Sequence, residues 1–380
     1  MTTLLLHSAH RIDERGEVPD AWVLFDGATI AASGVGVESA PHADESIDLG
    51  GARLVPGFID LHGHGGGGHA YDDGGAELAA ALDAHRVHGT TRSVISLVAN
   101  PLGELRERLS EIAALAAEDP LVLGSHLEGP FLAPGQRGAH SADFLRDPDP
   151  ESVESLLDAA GGTLRQVTIA PELPGALEAI AEFAAAGVTV AIGHTEATFE
   201  QTRDAFDAGA RVLTHAFNAM PGLHHRTPGP VLAALEDERV TLELILDGHH
   251  VHPGVAALLF GEAPGRVALI TDAMAAAAAA DGDYRLGSLN VSVRDGLAVL
   301  SGTSTIAGST LTQDVALHLA LSEVGLEPSV AVAALTAVPA RALGLGDRLG
   351  LLDPGYAADA VVLANDGSAT QVWADGRRLI

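Results

Sequence analysis

Residues 56–68 read PGFIDLHGHGGGG, and the fold can be read outward from them. A short apolar run ends at His62 and His64, two positions apart. On an extended segment, residues i and i+2 face the same side, so two imidazoles at this spacing can grip one cation. The pattern recurs along the chain. Apolar runs at 53–60, 92–98, 121–126, 164–169, 188–192, 211–213, 241–246 and 267–270 alternate with amphipathic or Ala-rich stretches of helical length. That alternation predicts repeated βα units around a parallel sheet. Six of the eight runs end within a few residues at a metal-capable side chain: His62 and His64, Glu128, His194, His215, the 247–252 stretch, and Asp272. Barrel enzymes build their active sites at the C-terminal ends of their strands, where such side chains converge. A (β/α)8 TIM-like barrel is therefore the expected fold. The alternative, an open doubly wound sheet, lacks support because no Gly-rich stretch has the spacing of a dinucleotide fingerprint.

Both ends of the chain have a different texture. Residues 1–54 alternate as short strands with a turn at Asp26-Gly27, and residues 345–380 do the same around Pro354-Gly355, Asp366-Gly367 and Asp375-Gly376. The economical reading is one small β-sandwich domain built from 1–54 plus 345–380, flanking a barrel over 55–344. Residues 283–301 interrupt the βα rhythm around Asp295-Gly296 and predict a β-hairpin insertion after the last barrel strand. Helices are expected near 309–324 and 329–343.

Composition narrows the chemistry. The 380 residues carry 51 Asp and Glu against 21 Lys and Arg, a formal charge of −30. Such a chain repels nucleic acid and anionic membranes, so neither is an expected partner. The N-terminal MTTLLLHSAHRIDERGE lacks the basic and apolar regions of a signal peptide, which predicts a cytoplasmic protein. The sequence contains no cysteine and no lysine, every basic residue being arginine. Thiolate ligands, Schiff bases, a Walker-type phosphate loop and a carbamylated lysine bridge are all excluded. Any metal must sit on histidine and carboxylate, a donor set suited to Zn²⁺, Mn²⁺ or Fe²⁺, with one position left for water in a catalytic site. An isolated His-x-His among 18 histidines is weak evidence. The full set of strand-end ligands points to metal-assisted hydrolysis.

PGFIDLHGHG, HLEGPFL, RGAH, GHT, THAFNAM, DGHHV, TDAM and IAGSTLT, in this order, resemble the N-acetylglucosamine-6-phosphate deacetylases of the amidohydrolase superfamily. The resemblance spans essentially the whole chain, and HLEGPF with HAFNAM is specific to this branch. It implies hydrolysis of the acetamide of N-acetyl-D-glucosamine 6-phosphate to glucosamine 6-phosphate and acetate. One or two divalent ions per subunit are implied, Zn²⁺ first, with Fe²⁺, Mn²⁺ or Co²⁺ as alternatives. By the same resemblance Glu128, His194 and His215 hold the principal metal, while His62, His64 and Asp272 can hold a second, bridged by Glu128. Asp272 would take a proton from the attacking water and return it to the departing amine, and His140 would polarise the carbonyl. Asn218, Ala219 and Arg226 would bind phosphate, Arg226 from the neighbouring subunit of a homodimer. His250, Ile306, Ala307 and Gly308 would hold the sugar, and His252 would start a helix.

Three rivals remain at this level. The same chemistry on N-acetylgalactosamine 6-phosphate or another N-acyl phosphosugar differs by as little as one epimeric hydroxyl. A cyclic-amide hydrolase is disfavoured by the missing lysine and the HAFNAM loop. A non-catalytic sugar-phosphate binder would be expected to have lost Asp272 or a principal ligand, and none is lost.

Overall fold

The computed structural model describes residues 2–380 and divides into two compact units. One comprises the chain up to Asp60, His85–Arg92 and Gln313–Ile380; the other comprises Leu61–Ala84 and Ser93–Thr312.

The first unit holds a mixed sheet made from both chain ends. Strands Thr3–Asp13, Gly16–Asp26 and Thr29–Val35 form an antiparallel meander. Asp26 pairs with Thr29 across a tight turn in which Gly27 has φ 58°, the left-handed conformation that two-residue hairpins need. The C-terminal strand Ala360–Leu363 pairs antiparallel with Arg53–Pro56, with Val361 opposite Val55. Alternating residues point inward, so Leu6, Val23, Phe25, Ile30, Leu54 and Trp373 share one buried core.

The parallel strands are β1 (Phe58–Asp60), β2 (Thr90–Val98), β3 (Val122–Glu128), β4 (Leu164–Ile169), β5 (Thr189–Ile192), β6 (Val212–Leu213), β7 (Thr241–Ile245) and β8 (Val267–Ile270). They run in sequential spatial order, and a parallel bridge between Gly63 and Ala273, just past β1 and β8, closes the ring. The expected TIM-like barrel is the fold observed. All nine residues of β2 are buried, as a strand covered on both faces requires.

A helix follows each of β1 to β7, and local sequence marks several starts. Asp149 caps Pro150–Ala160 by accepting from the Ser152 N–H, and Thr198 forms a reciprocal capping box with Gln201 at Phe199–Ala208. His252 caps Pro253–Glu262 by accepting from the Gly254 N–H, as a helix-start residue should. In Leu102–Glu118 the buried residues Leu105, Leu109 and Ile112 fall at helical spacing.

Three departures from the sequence reading matter. The run at 53–60 is two strands, because the Pro56-Gly57 break sends Arg53–Pro56 to the mixed sheet and Phe58–Asp60 to the parallel one. The insertion after β8 is a three-stranded meander, Gly282–Leu286, Leu289–Arg294 and Leu297–Leu300, rather than a hairpin. The helix expected over 309–324 starts at Gln313 and passes into a π-helical turn at Ala320–Val324. The meander packs Leu286, Val291 and Val293 against Met274, Ala276 and Ala307, fixing the loops that follow β8. In the Ala-rich tract there Ala275–Ala277 are buried and Ala278–Ala280 exposed, with the Ala275 and Ala277 carbonyls accepting from the Gly68 and Gly67 N–H groups.

Candidate metal centre and active site

Strand ends deliver the candidate ligands. Glu128 closes β3, while His62, His194, His215 and Asp272 lie two residues, and His64 four, beyond the ends of β1, β5, β6 and β8. His194, His215 and Asp272 adopt φ of 47°, 25° and 46°. Left-handed backbone at non-glycine residues costs roughly 1–3 kcal/mol each and persists where packing over-determines it. Here it turns each chain sharply off its strand.

Six side chains converge on two sets that share Glu128: His62, His64, Glu128 and Asp272, and Glu128, His194 and His215. Glu128 Oε1 lies 3.0 Å from His194 Nε2, 3.1 Å from His215 Nε2 and 3.3 Å from His62 Nε2. Glu128 Oε2 lies 3.1 Å from His64 Nε2. His64 Nε2 and Asp272 Oδ1 are 3.4 Å apart. Ligand atoms placed about 2.0–2.2 Å from a tetrahedral divalent ion stand roughly 3.3 Å from one another. The spacing therefore fits metal coordination, and the donors are the nitrogen and oxygen ligands that zinc, iron and manganese accept.

The electrostatics agree. Burial alone would depress the His64 imidazole, yet the Asp272 and Glu128 carboxylates outweigh it and push it up to about 9. His62 rises in the same way, with Glu128 and Asp272 overcoming burial. Burial works against ionised Asp272, but His62 and His64 hold it below the ordinary carboxylate range. The carboxylates thus demand positive charge, which a bound cation can supply in place of protons.

Tautomers are set by neighbours. His194 Nδ1 lies 2.9 Å from the Gln136 carbonyl, so that nitrogen donates and Nε2 keeps its lone pair for the centre. His140 is the reverse. Its Nδ1 accepts the Ala99 N–H at 3.2 Å, which puts the ring hydrogen on Nε2, 3.2 Å from Glu128 Oε2. Burial, aided by His194 and His64 and only partly offset by Glu128, pushes His140 down to about 4. It is a neutral N–H donor at physiological pH.

The centre opens into a cavity of about 450 Å³. His140, His194, His215, Asn218, Ala219, His250, Asp272, Ile306 and Gly308 line it. Ala307 is fully buried behind this wall, its N–H bonded to the Ala298 carbonyl. Arg226 is not among the lining residues; it is exposed, with Nη1 2.7 Å from His225 Nε2. The lining includes Arg137, to which the sequence reading gave no role. His250 Nδ1 stands 2.7 Å from Asp247 Oδ2, and Asp247 also accepts the N–H groups of His249 and His250.

Sequence reasoning missed a buried polar layer inside the barrel. Glu243, fully buried on β7, reaches Gln166 and His62; His126 links Ser96 to Thr168. The polar positions within these apolar strands were the signal available.

The amidohydrolase family model matches residues 53–379. The chain is 38% identical, over 99% of its length and 99% of the relative's, to the N-acetylgalactosamine-6-phosphate deacetylase of Escherichia coli O157:H7. It is 36% identical to the N-acetylglucosamine-6-phosphate deacetylase of Vibrio furnissii, covering 88% of this chain and 85% of that one. A solved mutant of the N-acetyl-D-glucosamine-6-phosphate deacetylase of Mycobacterium smegmatis, in complex with N-acetyl-D-glucosamine-6-phosphate, superposes with a TM-score of 0.94 at 43% identity and covers 100% of both chains. The chain belongs to the amidohydrolase family, in the branch of the N-acetylglucosamine-6-phosphate deacetylases.

Proposed function

We propose that the chain hydrolyses the acetamide of N-acetyl-D-glucosamine 6-phosphate, releasing acetate and D-glucosamine 6-phosphate. The observation that carries this reading is the Glu128 carboxylate, shared by two histidine-containing ligand sets at the floor of a cavity that also presents Asp272 and His140. The relatives named for this reaction support the choice of substrate.

In this reading Glu128, His194 and His215 hold the principal ion, Zn²⁺ by preference, with Fe²⁺, Mn²⁺ or Co²⁺ able to replace it. His62, His64 and Asp272 hold a second. A bound ion supplies Lewis acidity toward the acetamide oxygen and activates water. The protein's own groups do the rest. Asp272, ionised at neutral pH, accepts the proton from the attacking water and returns it to the departing amine nitrogen as the C–N bond breaks. His140 donates Nε2–H to the oxygen on which negative charge develops. His250, oriented by Asp247, meets sugar hydroxyls beside the Ile306–Gly308 backbone. Asn218 and the Ala219 N–H take the phosphate, joined by Arg226 from the second subunit of a homodimer. Among the described residues no helix is long and apolar enough to cross a membrane, and the proposed setting is the cytoplasm.

A second reading has its own support: the relative aligned over 99% of both chains is named for the galacto epimer. One assay separates the two. Acetate release is measured from both epimers on chelator-stripped protein, before and after Zn²⁺, Mn²⁺ or Fe²⁺ is restored. Metal-restored turnover that favours the gluco substrate is expected. A galacto preference moves the assignment to the second reading, and no acetate from either sugar overturns both. Arg226→Ala should raise KM for the phosphosugar far more than for unphosphorylated N-acetylglucosamine; equal effects would remove Arg226 from the phosphate site.

A further inference from the structure

Glu243 has no place in the chemistry described so far, yet it lies fully buried inside the barrel directly beneath His62. A carboxylate removed from water is costly unless it is hydrogen-bonded or paired. Its two oxygens have separate partners: Oε1 accepts from Gln166 Nε2 at 2.7 Å, and Oε2 stands 3.3 Å from His62 Nδ1. The opposite nitrogen of His62 faces the centre, 3.2 Å from His64 Nε2, 3.3 Å from Glu128 Oε1 and 3.6 Å from Asp272 Oδ1.

A neutral imidazole carries one ring hydrogen, and the partner at one nitrogen decides what the other can do. We propose that Glu243 is a positioning residue for the second cation site: it holds the hydrogen of His62 on Nδ1, so that Nε2 presents its lone pair to an ion shared with His64, Asp272 and Glu128. Glu243 acts through His62 and does not touch the ion. A carboxylate behind a ligating histidine also makes the imidazole a stronger donor. The other side of the centre is built differently, because His194 is oriented by the Gln136 carbonyl and not by a carboxylate. Glu243 therefore acts on one of the two sites only, and that asymmetry is what separates positioning from a general structural role.

This inference rests on the metal assignment above, and the experiment keeps the two apart. Chelator-stripped full-length wild type, Glu243→Gln and Glu243→Asp are titrated with Zn²⁺ alone, with calorimetry and bound metal per chain as readouts and circular dichroism as the check on folding. The wild type should bind two ions. Glu243→Gln, which keeps the size and loses the charge, should weaken one of them by about 10–100-fold and leave the other unchanged. Glu243→Asp, which keeps the charge but is one methylene shorter, should weaken the same ion. If either variant fails to fold, Gln166→Leu, which frees the Glu243 carboxylate from its anchor, should show the same one-site loss to a smaller extent. Unchanged affinities in the folded variants, or equal loss at both sites, overturn the proposal. So does a wild type that binds a single ion dependent on His194 but not on His62. Wild-type protein that binds no Zn²⁺ overturns the metal assignment itself.

Discussion

The ring of His140 is held by the backbone of Ala99: the Ala99 N–H donates to Nδ1 at 3.2 Å and so commits the imidazole hydrogen to Nε2, which stands 3.2 Å from Glu128 Oε2. A backbone donor at the end of β2 thus sets the tautomer of a residue more than forty positions later. His140→Ala should lower kcat by about 10²–10³-fold, the usual loss on removing one donor to a developing oxyanion. Because His140 is neutral above about 4, its hydrogen is present throughout the neutral range. The ratio of wild-type to variant kcat should stay flat from pH 6 to 9. A ratio that falls steeply across that range would show that the protonated imidazolium is the active form.

Asp272→Asn tests the proposed proton carrier with little damage to the backbone. Asp272 sits at φ 46°, a conformation that asparagine tolerates better than most residues, so the strand exit should survive the change. The amide cannot accept and return a proton. Expected are a loss of ~10²-fold or more in kcat, substrate binding within a few-fold of wild type, and an unchanged circular dichroism spectrum. Near-normal turnover would remove Asp272 from the proton path.

Asp247 should act only through His250. Both side chains are largely buried, at 8% and 7% exposure, and their 2.7 Å contact fixes which imidazole nitrogen faces the cavity. His250→Asn and Asp247→Asn should each raise KM for the phosphosugar by about tenfold, with smaller effects on kcat. The double variant should be no worse than the His250 change alone, because the two act as one unit. Additive losses would mean that Asp247 has a separate role.

The barrel and the six converging candidate ligands were legible because polar residues at strand ends interrupt apolar runs, and that signal survives without any knowledge of contacts. What lay beneath the site was not. Glu243 finds its partners 77 and 181 positions away, and nothing local to TLELIL announces either. His126 was absorbed into the third apolar run, although its two nitrogens bond Ser96 and Thr168 on the neighbouring strands β2 and β4. Ala99 contributes only a backbone N–H, which carries no residue signature at all. The split of 53–60 had a visible cause in Pro56-Gly57, but the continuous apolar character on both sides concealed that its halves serve different sheets. Pattern reading recovers positions whose role follows from their own chemistry, and loses those whose role is created by a distant partner.

Arg92 offers a test of stability separate from chemistry. Within the first unit Arg92 is 5% exposed and its guanidinium grips Asp359, with Nε to Oδ2 at 2.6 Å and Nη2 to Oδ1 at 3.0 Å, while Nη2 also bonds Asp375. Asp359 is 6% exposed and accepts the Asp375 N–H at 2.8 Å, so the cluster pins the turn at Asp375-Gly376. Removing the cation leaves a buried carboxylate without its counter-charge, which typically costs about 3–5 kcal/mol. Arg92→Met should therefore lower the urea midpoint of unfolding sharply. Arg92→Lys should recover only part of the loss, since an ammonium cannot reproduce the two-pronged contact. The double change Arg92→Met with Asp359→Leu should be less destabilising than the sum of the single changes, because the second substitution removes the charge that the first one strands. Strict additivity would show that the two side chains contribute independently, and the ion pair would then have no part in holding this turn.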